Sequence, residues 1–180
     1  MTSPPLTVRK ARPGDAEAIA RIYVEAWRDT YPAVLPARLL LAMTVEGQAN
    51  RWRNAIAMAA RESVYVAEDE RRTLVAMTSL GRARDRMLGF EGEIYTLYVD
   101  PARTGVGVGR ALLRGAFVAL SERGHQNCLI WAHAKNPARF FYEAMGGKLV
   151  AERTTAMMGV PVPEAAFGWK KLALAETSRT

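Results

Sequence analysis

The segment running from Tyr98 to Leu113 constrains the fold more than any other part of the chain. An apolar run from Ile94 to Val99 stops at Asp100-Pro101, and glycines follow at alternate positions, Gly105, Gly107 and Gly109. Leu112, Leu113, Ala116, Phe117 and Leu120 then recur at helical spacing. The order reads strand, tight glycine loop, helix N-terminus. A loop without side chains lets a ligand come close to its backbone. Amides at such a helix start lack internal partners and sit at the positive end of the helix dipole. The guest that matches them is a phosphate or pyrophosphate.

Neither standard nucleotide motif accounts for the loop. Its spacing is G-x-G-x-G rather than G-x-G-x-x-G, and the acidic residue expected about 20 positions on falls near Glu122, inside a helical pattern. Arg110-Ala111 stands where a P-loop carries Lys followed by Ser or Thr.

The chain of 180 residues suits one domain, 1–180, with a sizeable core. With 49% hydrophobic and 24% charged residues, it reads as globular. No apolar stretch reaches membrane-spanning length, so no membrane partner is expected. Met1 to Pro5 lacks the apolar region of a secretory signal. Cys128 is the single cysteine, so no internal disulfide can form. These features point to the cytoplasm. The formal net charge of +7 invites an anionic partner. The arginines are spread along the chain rather than gathered, which argues against nucleic acid and for a small polyanion.

Thr7 to Lys10 reads as a first strand and Ala16 to Trp27 as an amphipathic helix. Pro32 and Pro36 bracket a loop, followed by helices over Arg38 to Met43 and Glu46 to Ala60. Ser63 to Glu68 and Thr73 to Leu80 read as a hairpin. Gly81 to Gly92 reads as a polar, mobile loop. The strand Glu93 to Val99 leads through the glycine loop to a helix over Gly107 to Arg123. Asn127 to His133 reads as a buried strand. Asn136-Pro137 reads as an N-cap followed by proline at the first helical position, in a helix that runs to about Met145 and stops at Gly146-Gly147. Lys148 to Arg153 and Phe167 to Leu172 read as closing strands. The sum is an α/β or α+β domain around a mixed sheet, with the ligand at the carboxyl end of the strand Glu93 to Val99.

In this order and spacing, the pieces resemble the GCN5-related N-acetyltransferases (GNAT). Gly92-Glu-Ile-Tyr-Thr-Leu-Tyr-Val-Asp-Pro101 resembles the family's fourth strand, and Thr104-Gly-Val-Gly-Val-Gly109 resembles its pyrophosphate loop, usually written Q/R-x-x-G-x-G/A. Asn136-Pro-Ala-Arg-Phe-Phe-Tyr-Glu143 before Gly146-Gly147 resembles the helix that flanks the cofactor, and Ala26-Trp-Arg-Asp-Thr-Tyr31 resembles the first-helix segment of small bacterial members. The resemblance implies a mixed, mostly antiparallel sheet of six or seven strands with helices on both faces. It implies acetyl-CoA as co-substrate, no metal, and a small-molecule or peptide amine as acceptor. It leaves a homodimer open. It also implies a phosphate cradle formed by Thr104, Gly105, Val106, Gly107, Val108, Gly109 and Arg110. Thr104 stands where the family usually has Gln or Arg, so Arg103 or Arg110 is expected to substitute for that side chain.

Direct attack of a neutral amine on a thioester needs a base, donors for the oxyanion and an acid for the leaving thiolate. The resemblance implies that the fourth and fifth strands splay, freeing backbone groups of Leu97 for the pantetheine arm and of Val99 to polarise the carbonyl. Tyr142 is the implied acid, since a phenol's reference pKa of about 10 lies above a thiol's; packing in the core is its other reading. Glu93 is the candidate base through a water, or else half of an ion pair at the strand start. His133 is the second candidate base. Asn136 reads as a helix cap that also faces the cofactor. Arg139, Arg110 and Arg114 read either as phosphate contacts or as solvated surface. Trp27 and Tyr31, four apart, share a helix face and line either the acceptor pocket or the core. Cys128 reads as buried filler. The loops Tyr31 to Pro36, Gly81 to Gly92 and Thr154 to Glu164 are expected to build the acceptor site, and no motif in them identifies the acceptor. The rival readings are a non-catalytic CoA-binding module, a transferase of another acyl group such as succinyl, and a nucleic-acid binder.

Overall fold

The structure, a computed structural model, describes residues 6–32, 35–58, 60–157 and 159–172. Strands β1 (Thr7–Lys10), β2 (Glu62–Glu68), β3 (Leu74–Arg82), β4 (Gly92–Val99), β5 (Cys128–His133), β6 (Lys148–Met157) and β7 (Val160–Trp169) form one sheet in the order β1-β2-β3-β4-β5-β7-β6. All neighbours are antiparallel except β4 and β5, which are joined by the crossover that parallel strands require. Helices α1 (Ala16–Thr30), α2 (Ala37–Ala42) and α3 (Val45–Ala57) lie between β1 and β2. Helix α4 (Val108–Glu122) is the crossover, and α5 (Ala138–Ala144) follows β5.

Strand alternation assigns the two faces. Val64, Val66 and Met77 pack with Ile19, Tyr23 and Trp27 of α1 and Trp52 of α3. On the other face, Ala67 and Ala76 meet Val108 and Leu112 of α4, while Leu80 and Ile94 meet its Leu113, Phe117 and Leu120. The expected mixed sheet with helices on both faces is therefore what forms.

The central pairing is short. β4 and β5 pair only at Gly92–Cys128, Glu93–Leu129 and Ile94–Ile130, although β4 continues to Val99 and β5 to His133. Against β3, the register shifts between Ser79–Thr96 and Leu80–Ile94, leaving Tyr95 as the extra residue of a bulge. A bulge bends its strand and increases the local twist, and here it stands where β4 begins to leave β5. The Tyr95 hydroxyl donates to Arg82 O at 2.6 Å and pins the bend.

Two loop expectations are corrected. Thr154 to Glu164 is for the most part not a loop: β6 and β7 pair from Lys148–Gly168 out to Met157–Val160. Pro161 and Pro163 lie within β7, and Pro163 O accepts Ala134 N–H at 2.8 Å, so both prolines turn their missing N–H toward the edge that β5 leaves open beyond His133. Proline is tolerated in a strand only on such an unpaired side. Gly81 to Gly92 is anchored rather than free. Ala83 N–H bonds Glu91 O at 2.8 Å, and Phe90 is buried against Gly168, where a β-carbon would come within 2.3 Å of its ring. The third helix ends at Ala57 rather than Ala60, and Ala59 lies outside the described residues.

Candidate functional site

The diverging ends of β4 and β5 open a cleft of about 650 Å³. Leu97 and Val99 line it from β4, Gly105, Gly107, Gly109 and Arg110 from the loop and the start of α4, Asn136 and Tyr142 from the α5 region, and Tyr31 from the end of α1. The backbone of β4 offers hydrogen-bonding groups to this gap. Thr96 O accepts the Thr78 hydroxyl at 2.7 Å and Asp100 N–H donates to Val75 O at 2.9 Å, both toward β3. Successive residues of a paired strand turn their N–H and C=O to opposite sides. Leu97 and Val99 therefore turn theirs toward the cleft.

The glycine loop has the backbone that only glycine adopts without strain, with φ of 78° at Gly105 and 91° at Gly107. Helix α4 begins at Val108 with no side chain capping it, and its first intrahelical bond is Ala111 N–H to Gly107 O at 3.0 Å. The amides of Val108, Gly109 and Arg110 precede that bond and point out of the helix start. The Val108 side chain is buried on the sheet and anchors the turn, while Val106 is exposed. Thr104 turns its hydroxyl back to Pro101 O at 3.1 Å, and Arg103 leans on Asp69 at 3.5 Å. Arg110 is thus the cationic side chain in the cleft lining; Arg103 and Arg114 are exposed outside it.

Helix α5 brings Tyr142 to the cleft, packed against Phe141, Phe167 and Trp169. The helical turns begin at Ala138, two residues after the expected cap, yet Asn136 still caps: its Oδ1 accepts Ala138 N–H at 2.9 Å. Its Nδ2 donates to the Tyr31 hydroxyl at 3.1 Å, joining the end of α1 to the start of α5 across 105 positions of sequence. Burial pushes the phenols of Tyr31, Tyr98 and Tyr142 above the usual range, and all three line the cleft as neutral hydroxyls at ordinary pH. His133 is also held neutral, because burial and then Lys135 lower its pKa. Its Nδ1 accepts Lys135 N–H at 3.0 Å, which puts the ring proton on Nε2 and leaves no free lone pair for a base.

Three expected site residues stand elsewhere. Glu93 is 1% exposed and lies outside the cleft lining; its carboxylate accepts Arg84 N–H at 2.8 Å and Arg84 Nε–H at 2.9 Å, so the ion-pair reading describes it. A buried carboxylate requires such partners. Arg139 is exposed, with its guanidinium over the Phe140 ring and donating to Ala134 O at 3.4 Å. Trp27 packs behind Tyr31 at 4.8 Å between ring centroids and does not reach the cleft. Cys128 is buried, and burial raises its thiol pKa, as suits filler. Sequence reasoning missed Tyr98, whose ring crosses to the α1 face between Leu97 and Val99, and Asp29, which lies one turn beyond Ala26 in the cleft lining. The (i, i+3) spacing from Ala26 was the available signal for Asp29.

Comparison with known proteins gives this cleft a context. A family model for the GNAT acetyltransferase domain matches residues 60–146, which run from β2 through the glycine loop to α5. The N-acetyltransferase YuaI of Bacillus subtilis, itself uncharacterized, is 31% identical over 172 residues, covering 96% of this chain and 97% of its own. Among solved structures, the PaiA N-acetyltransferase of Thermoplasma acidophilum, in complex with coenzyme A, aligns with a TM-score of 0.68 at 19% identity, over 89% of this chain and 98% of that one. YncA of Salmonella typhimurium, solved with its cofactor acetyl-CoA, aligns with a TM-score of 0.66 at 19% identity, over 93% and 94%. Sequence kinship along nearly the whole chain, on a sheet that parts above a glycine loop, makes this protein a member of the GNAT family of N-acetyltransferases, and so an acyltransferase.

Proposed function

We propose that the chain transfers an acetyl group from acetyl-CoA to a primary amine by direct attack, within the cleft between β4 and β5. The observation that carries this is the union of two features in one cavity: unpaired backbone of Leu97 and Val99, and a side-chain-free loop ending in open helix amides. The residues fit the cofactor. A β-carbon at Gly109 would meet only ordinary contacts, the nearest Phe141 Cζ at 3.5 Å, so the packing does not demand glycine there, whereas a pyrophosphate lying against the helix start does. Gly105 to Arg110 hold the phosphates through their amides, with Arg110 adding charge. Leu97 bonds the pantetheine arm.

Bound acetyl-CoA supplies a thioester whose carbonyl carbon a neutral amine can attack. The Val99 amide donates to the carbonyl oxygen and stabilises the negative charge that grows on it. The Tyr142 hydroxyl holds the proton that the departing sulfur takes up. Glu93 has no part in the base role. Asp29, the carboxylate of the cleft lining, attracts the incoming ammonium, which gives a proton to solvent in the cleft before the neutral amine attacks. The second proton, which nitrogen sheds as the C–S bond breaks, returns through solvent to Tyr142, and Tyr31, held by Asn136, lines the acceptor side. A buried free thiol at Cys128 suits the reducing cytoplasm as the place of work.

Calorimetric titration with coenzyme A, followed by single-turnover thiol release from acetyl-CoA with a panel of primary amines, tests the reading. Binding followed by amine-dependent release is expected. Binding without release by any amine would leave a cofactor-binding module, and absence of binding would remove the site altogether.

A further inference from the structure

We propose that Tyr31 selects the acceptor: its hydroxyl donates to an oxygen on the carbon next to the attacking nitrogen. The acceptors are then α-amino carbonyl compounds, amino acids or peptide N-termini, rather than simple alkylamines. This rests on the transferase reading above.

Tyr31 caps the end of α1, is 7% exposed and lines the cleft. Its ring packs on Trp27 at 4.8 Å and edge-on against His133 at 6.2 Å between centroids. Two donors hold its hydroxyl. Asn136 Nδ2 donates to the oxygen at 3.1 Å, and the Tyr98 hydroxyl bonds to it as well. The Tyr98 bond favours the charged form of Tyr31, as a donated bond does, so Tyr98 gives the proton and Tyr31 receives it. Both lone pairs of the Tyr31 oxygen are then engaged. Its own O–H has no acceptor among the described residues. Two hydroxyls that share one bond leave one proton over in any arrangement, and here it belongs to a buried side chain on the cleft wall. Burial keeps this phenol neutral, so the proton is present at ordinary pH. A buried donor without an acceptor is costly, and a bound molecule that supplies one removes the cost.

The reaction leaves few atoms to meet this donor. Tyr31 acts electrostatically on the phenol of Tyr142, so its hydroxyl stands near the thiol end of the cleft. The thioester oxygen meets the Val99 amide, and the attacking nitrogen spends its lone pair on the carbonyl carbon. What remains is a second acceptor atom on the amine itself, close to the nitrogen. A carbonyl or carboxylate oxygen on the adjacent carbon answers to that position. Asp29, in the same lining, faces the ammonium. One anion and one hydroxyl donor are the complement of an amine with a neighbouring oxygen, and a site built to bond such an oxygen rejects the analogue that lacks it.

The test compares three amines of one shape: L-alaninamide, L-alanine and 3-methylbutan-2-amine, which carries an isopropyl group where the others carry oxygen. Thiol release at saturating acetyl-CoA gives kcat/KM for each, expressed per neutral amine. The carbonyl withdraws electrons and makes alaninamide the weaker nucleophile, so a preference for it reports a contact and not basicity. The wild type should favour an oxygen-bearing amine over 3-methylbutan-2-amine by about tenfold, the worth of one hydrogen bond to a buried donor. A preference for alanine marks free amino acids as the source, and a preference for alaninamide marks peptide N-termini. Tyr31→Phe keeps the ring and should bring the ratio close to unity. If the hydroxyl serves only the fold, or the thioester oxygen, the variant lowers all three amines together and the ratio stays, which overturns the assignment. A wild type without preference overturns it too, whether or not the variant folds, and leaves the transferase standing. Coenzyme A binding with no release by any amine overturns both.

Discussion

A β-carbon at position 109 would approach nothing nearer than the Phe141 ring at 3.5 Å, and the residue lies in the first turn of α4 with no positive φ to maintain. Alanine is the better helix former by up to about 1 kcal/mol. Gly109→Ala should therefore melt no lower than the wild type, while a methyl group in the phosphate cradle weakens coenzyme A by about tenfold, or about 1.4 kcal/mol. Thermal melting and calorimetry on one preparation check both halves, and unchanged affinity would take the loop out of the cofactor's site. Tyr142 makes the complementary case. Removing a general acid costs on the order of a hundredfold in kcat, so Tyr142→Phe should lose turnover while binding coenzyme A within about a factor of two. An acid works only while protonated, and burial raises this phenol above its usual value. Competence is thus complete at neutral pH and fades only as pH rises through the raised pKa, so kcat should show no alkaline fall below about pH 10. A fall near pH 8 would assign the acid to another group. At this scale the sequence was legible where backbone conformation or a motif position decides, as at Gly105, Gly107 and Tyr142. It was not legible for Glu93, because the partner that claims its carboxylate, Arg84, depends on how the chain folds back between β3 and β4.

Two links between elements carry predictions of their own. Asn136 both caps α5 and holds the Tyr31 hydroxyl, so its two roles separate in a double-mutant cycle. Asn136→Ala loses cap and link, Tyr31→Phe loses the link together with the hydroxyl's hydrogen bond to Tyr98, and the cycle in urea unfolding should return a coupling of about 1 kcal/mol for the link. A coupling near zero would mean that the link adds nothing to the fold. On the edge strand β1, Arg9 donates to Asp15 at 2.8 and 3.0 Å and through Nε to Glu68 at 2.9 Å. Hydrogen bonds from Arg9 hold both carboxyls below their usual range. A carboxyl with a depressed folded pKa adds stability that is full above its unfolded pKa of about 4 and is lost as pH falls through the folded value. Arg9→Gln should therefore cost about 2 kcal/mol at pH 7, and the gap from the wild type should shrink toward pH 2. A gap that does not change with pH would mean that Arg9 acts through packing alone. Elements with a clear period were readable in the sequence, β2 and β5 to within one residue, and α1 at its start, although it continues three residues past Trp27 to Thr30. The β6–β7 hairpin was not. Thr154 to Glu164 was expected to be a loop, and the end of β5 at His133 explains why a strand can hold Pro161 and Pro163 there.

On the scale of the whole molecule, the sheet is two halves, β1-β2-β3-β4 and β5-β7-β6, meeting along three paired positions, Gly92–Cys128, Glu93–Leu129 and Ile94–Ile130. Helix α4 spans this junction: its Leu113, Phe117 and Leu120 pack in one cluster with Ile94 of β4, Ile130 of β5 and Phe167 of β7. The buried core thus crosses the line that the hydrogen bonds leave weak, and thermal unfolding should be one transition for residues 1–180 rather than two. The proposed cofactor site lies where the halves part, so a ligand there should bind only when both are in place. At a concentration one hundred times its dissociation constant, coenzyme A should add about 2.7 kcal/mol. For a chain of this size, that raises the melting temperature by about 5–10 °C. Hydrogen exchange locates the effect. The Leu97 and Val99 amides face the gap without a strand partner, and they should exchange quickly in the free protein and slow when coenzyme A is added, along with the amides of Val108, Gly109 and Arg110. Protection confined to the loop would show the phosphates docked without the pantetheine reaching β4, and the polarising role of Val99 would then fall.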